Sequence, residues 1–135
     1  MSQYFDLGDT TLWNPSNGVG LLFVRSAEAV APIVELPTGV SPKAADEWAI
    51  DLPVFAAFVD ALVDRYQRST HLILRSMVEG FLATAMVLLD RAGAEIPSLS
   101  REPGPDVRDV SVFGTPPPAG KLAELRTAHA RAMPV

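Results

Sequence analysis

The chain has 135 residues, 48% of them hydrophobic and 20% charged, with a formal net charge of −5 and no cysteine. That composition suits one folded domain with its own core, and it excludes disulfides, zinc–thiolate sites, iron–sulfur clusters and cysteine nucleophiles. Residues 1–96 carry 12 acids against 6 bases, so the main body offers no basic face of the kind that nucleic-acid phosphates or anionic membranes require.

The opening residues Met1-Ser2-Gln3-Tyr4-Phe5-Asp6 hold neither a basic run nor an apolar stretch. No signal peptide is read there, and the expected location is the cytoplasm. β-Formers flank Gly8-Asp9 within residues 3–13, the pattern of a short strand or hairpin. Asn14-Pro15 then reads as a helix start, with Asn14 as cap and Pro15 at the first helical position. Val19, Leu22, Phe23, Ala27, Val30 and Val34 recur at spacings of three and four, which predicts one apolar helical face to about residue 36. Pro32 should kink this helix or end it early.

Residues 36–45, with Pro37, Gly39 and Pro42, read as a connection. Asp51 is a good N-cap for the next helix and Pro53 suits its first turn. That helix is predicted to run to about residue 69, with Phe55, Phe58, Val59, Leu62 and Tyr66 as its apolar stripe. Residues 71–92 predict a third helix that is apolar on nearly every side and stops at Gly93; no strong breaker separates it from the second, so the two could also be one long helix bent near Ser69-Thr70. Arg75 and Glu79 inside it favour a buried or interface helix over a membrane span. Few helices are available to cover it in so short a chain, which predicts a homodimer.

From Gly93 onward the composition changes: six of the twelve prolines fall between positions 97 and 118. Residues 107–113 carry β-formers that could pair with the N-terminal segment, and residues 116–118 form a stiff triple proline. Residues 121–133 predict a short last helix. The expected fold is therefore mainly α: a three- to four-helix bundle-like domain with short strands at the N-terminus and in the Pro-rich region. Residues 1–96 would form its helical core with an N-terminal strand/turn segment. Residues 97–135 would form a Pro/Gly-rich arm and a C-terminal helix packed on the same domain. The core should draw on Leu22, Phe23, Phe55, Phe58, Leu62, Leu74, Val78, Phe81, Leu82 and Leu89.

Motifs that carry chemistry are sparse. Arg75 and Glu79 are four apart on the most apolar helix, with His71 one turn earlier on the same face. They read either as an ion pair at a core edge or as the polar lining of a ligand pocket. Trp13 beside a helix start reads as a hydrophobic staple or as one wall of a recognition loop, and Trp48 sits among acids. The candidate ligand-binding residues are accordingly Trp13, Trp48, His71, Arg75 and Glu79. Asp46, Glu47 and Asp51 are better read as helix-start and solvated acids than as a cation loop. His71 and His129 show no metal-ligand spacing. There is no nucleophile elbow, Ser-x-x-Lys or Walker loop, and Gly18-Val19-Gly20 is too little for a dinucleotide fingerprint. No catalytic residue, metal or cofactor is expected.

Tyr4-Phe5-Asp6-Leu7-Gly8-Asp9, then Leu12-Trp13-Asn14-Pro15-Ser16-Asn17-Gly18, then Ala45-Asp46-Glu47 resemble small actinobacterial proteins of an uncharacterised family. The resemblance implies a bacterial, cytoplasmic protein of unknown function and supplies no activity or site residue. Two functional readings follow from the residues. One is a non-catalytic interaction or accessory factor, the immunity type among the possibilities, acting as a homodimer with itself and another protein as partners. The other is a small enzyme or ligand-binding protein with an inter-helix pocket lined by Glu79, Arg75 and His71, with Trp13 or Trp48 at its mouth.

Overall fold

The computed structural model describes residues 1–102 and 121–135. The strand predicted at 107–113 and the triple proline at 116–118 lie outside the described residues. In chain order the elements are β1 (Tyr4–Leu7), β2 (Thr10–Trp13), α1 (Asn17–Val34), β3 (Val40–Ala44), β4 (Glu47–Ile50), α2 (Leu52–Arg68), α3 (Leu72–Arg91), a 3-10 turn at Pro97–Leu99, and α4 (Lys121–Ala132).

The expectation of a mainly helical bundle is corrected by the sheet. Four strands join in the order β2-β1-β4-β3, which makes the fold α+β. Two antiparallel hairpins meet through a parallel central pair, with Phe5 opposite Trp48. The second hairpin falls in the stretch that reads as a connection. Its strands are only five and four residues long, and most of β3 is exposed, so no alternating apolar pattern marks it. Pro42, a breaker by composition, pairs opposite Trp48 on an outer strand. There its missing N–H leaves no ladder bond unmade.

Helix α1 starts later than Asn14-Pro15 suggests, with Ser16 as an N-cap that makes no side-chain bond. The preceding residues are held by neighbours instead. Gln3 N–H donates to the Pro15 carbonyl at 2.8 Å, and Asn14 N–H donates to the Pro134 carbonyl at 2.8 Å. Pro32 does not end the helix, which continues to Val34 and closes on Glu35 in the left-handed region at φ 53°. Helix α2 follows its sequence signals closely: Asp51 caps it by accepting from Val54 N–H at 3.4 Å. The chain breaks at residues 69–71, and α3 begins with His71 Nδ1 accepting from Leu74 N–H at 3.3 Å.

An aromatic chain joins the sheet to the helices. Phe5 is fully buried, stacked on Trp13 at 5.1 Å and on Trp48 at 6.3 Å, and meets Phe23 of α1 edge-on at 5.4 Å. Phe23 stacks on Phe81 of α3 at 5.0 Å, and Phe81 meets Phe58 of α2 at 6.1 Å. Every layer thus contributes a ring to one continuous core. Most of the expected core residues are buried in it, but Leu22 is not: it points to solvent from α1. Leu74 is only half-buried.

Arg91, at the end of α3, fastens the C-terminal segment. Its guanidinium donates to the Leu12 carbonyl at 2.8 Å, the Met133 carbonyl at 2.8 Å and the Ala130 carbonyl at 3.3 Å. Arg126 of α4 also pairs with Asp90 of α3. On the opposite margin of the sheet, β3 carries Pro42 and the exposed Lys43, which reaches back to Asp6 at 3.2 Å. Arg91→Met keeps the aliphatic stem but removes three charge-assisted bonds. It should cost about 2 kcal/mol and raise hydrogen exchange in residues 121–133 well before the rest of the chain.

Candidate functional site

The five sequence-predicted site residues fall in three places. Trp48, itself partly buried, belongs to a polar lock at the margin of the core. Its indole N–H donates to Gln3 Oε1 at 2.7 Å, and Gln3 Nε2 donates to Asn17 Oδ1 at 2.8 Å. This ties β4, the N-terminal segment and the start of α1 together and partners both ends of the buried Gln3 amide, as burial demands. Gly20 of α1 lies against Gln3: a β-carbon there would come within 2.7 Å of Gln3 Cγ.

Arg75 and Glu79 lie on the flank of α3 turned toward α2 and α4. The buried Arg75 guanidinium sits 4.4 Å from the centre of the Tyr66 ring, a cation–π contact. Glu79 accepts from Tyr66 OH at 3.1 Å and pairs with Lys121 at 3.2 Å. Burial pushes the Tyr66 phenol above its ordinary value, and the bond to Glu79 adds to this, while Arg75 pulls it back. A raised phenol proton affinity stabilises the fold fully below the ordinary value near 10 and is lost as pH climbs through the shifted one. Tyr66→Phe, which loses the bond to Glu79, should be about 1–2 kcal/mol less stable at neutral pH. The gap to the parent should narrow above pH ~10, as urea melts at the two pH values would read.

Trp13 and His71 reach a different feature, a groove between α1 and α3. Two adjoining hollows, of about 500 and 520 Å³, run along it and share Ser26, Met77 and Phe81 as walls. Val19, Leu22, Ile73 and Met77 stand 49, 66, 62 and 77% exposed beside them. Phe23 and Phe81 line the floor. One end is closed by α4, where His129 Nδ1 lies 2.8 Å from Thr84 Oγ1 and Met133 packs below. The other ends at His71.

Why no described residue covers this side of the two helices follows from their patterns. Helix α1 spends Gly20, Phe23, Val24 and Ala27 on the core. Val19, Leu22, Ser26, Ala29 and Ile33 form a second stripe on its next face, again at spacings of three and four. Helix α3, apolar nearly all round, repeats this with Ile73, Met77, Gly80 and Thr84. The residues that line the groove include no Asp, Glu, Lys or Arg. The nearby ions on α1 are the exposed pair Arg25 and Glu28, 3.3 Å apart. The spacing joins Val19 and Leu22 to Phe23 and Ala27 in one expected apolar face, because spacing alone cannot separate two apolar stripes on one helix.

The groove lining is mostly apolar, with Ser26 and Thr84 as its hydroxyls. Its titratable groups are two histidines at opposite ends, and each has one ring nitrogen engaged by Leu74 N–H or Thr84. Among the described residues, no three His, Asp or Glu side chains converge to hold a metal ion. Helices α1 and α3 are long and apolar enough to cross a membrane by composition, but α3 is largely packed inside this fold.

The chain belongs to a family of unknown function, DUF6086, whose model matches residues 1–135. No curated protein and no solved structure matches it.

Proposed function

We propose that this member of the family is a non-catalytic protein-interaction factor that acts as a homodimer through the bare α1–α3 face. The observation that carries the reading is an uncharged apolar groove flanked by four exposed aliphatic side chains. A patch of this kind on a soluble domain marks a surface that another molecule covers. Burying a whole aliphatic side chain contributes about 2 kcal/mol, so covering these four on two copies contributes on the order of 10 kcal/mol. The groove walls add to that. This is the scale needed against the roughly 4–15 kcal/mol that association costs.

A second copy suits the face better than a charged partner does. The chain is acidic overall at −5, yet it keeps its charges off this surface. Two like-charged copies can therefore meet here without desolvating an ion. Light scattering after size exclusion, or native mass spectrometry, should give twice the chain mass at micromolar concentration. A single-chain mass across that range would reject the homodimer. The reading of Arg75 and Glu79 as a pocket lining finds less support, because both are engaged with Tyr66 and Lys121 on the far flank of α3.

A further inference from the structure

We infer that the two copies interlock as a four-helix seam in which Met77 of each copy seats in the other's hollow between Ser26 and Gly80. This rests on the homodimer reading and specifies how the face is used. Each copy presents two helices side by side. Both carry stripes that alternate spacings of three and four, which is the pattern by which helices mesh knobs into holes.

The face is also self-complementary in relief, as a two-fold contact requires. Met77 protrudes, 77% exposed. One turn along the same stripe Gly80 has no side chain, and nothing lies within 4 Å of where a β-carbon would stand. Across the groove Ser26 is equally small, and Met77 and Ser26 line both hollows. A knob and a hole so close together on α3 place the two-fold axis beside Met77. The thioether chain is flexible enough to fill an irregular hollow.

The absence of cysteine makes cross-linking a clean test. Met77→Cys should form an intermolecular disulfide under mild oxidation in dilute solution. Ser41→Cys, on the exposed outer strand, should stay reduced. Met77→Glu should weaken dimerisation at least a hundred-fold. Gly80→Leu should do the same while raising the melting temperature of the dissociated chain, because leucine is the better helix former. A merely structural glycine would not separate those two readouts. A wild-type chain that is monomeric would overturn the homodimer reading and the seam together. A wild-type dimer that survives both substitutions, with position 77 no more readily cross-linked than position 41, would overturn the seam alone.

Discussion

Gly39→Ala should be among the most damaging single changes in this protein, lowering stability by about 3 kcal/mol or more. Gly39 opens the second hairpin at φ +77°, where a side chain costs roughly 1–2 kcal/mol by itself. Space is the larger problem. A β-carbon would fall 2.5 Å from Phe55 N, 2.9 Å from Phe55 Cα and 3.0 Å from the Asp51 carbonyl. All three are backbone atoms of the cap and first turn of α2, so no rotamer change relieves the contact. Gly39 O also accepts from Asp51 N–H at 2.8 Å, and a shift that made room would loosen that bond. Since domains are stable by only about 5–15 kcal/mol, denaturant melts should show a large fall in midpoint. A variant within 1 kcal/mol of the parent would mean that the β3–α2 junction is looser than described.

Phe5→Ala should cost about 3–5 kcal/mol, as truncation of a fully buried ring does. The residue is fully buried and in ring contact with Trp13, Trp48 and Phe23. It sits on the central strand pair, so the cavity would open where the two hairpins join and cannot collapse without moving both. Because the chain's two tryptophans flank the site, the change has its own optical signature. Emission should shift to the red and near-ultraviolet dichroism should weaken in the native baseline, before any unfolding. Unchanged tryptophan spectra would contradict the stacked arrangement.

The helices were easy to read because their signals are local. Asp51 with Pro53 announces α2 and Gly93 the end of α3, while the break between α2 and α3 at residues 69–71 has no strong sequence signal. The sheet was hard to read because its cohesion is not local. Phe5 faces Trp48 across 43 positions, and neither hairpin strand of residues 40–50 carries a pattern that would announce the partner. Pro42 and Gly39 even argue against a strand unless the topology puts one on an outer margin and the other in a turn. The family resemblance is visible in residues 4–9, 12–18 and 45–47, and the structure gives two of them packing roles: Trp13 lies in the aromatic core, and Asn17 accepts from Gln3 beside Trp48. At the α1–α3 groove, apolar spacing puts Leu22 inside, where the structure exposes it, since a stripe for the core and a second apolar stripe look alike in one sequence.

The two margins of the sheet have a consequence for how this protein behaves when crowded. On one side the tail and Arg91 occupy Asn14 N–H and the Leu12 carbonyl. On the other, a proline and an exposed lysine interrupt the outer strand. Among the described residues both margins are thus partly blunted against pairing with a foreign strand. Clipping the last two residues would free Asn14 N–H while leaving Arg91 on the Leu12 carbonyl, and slow aggregation of that shortened chain, with its helices intact, is the cost to look for.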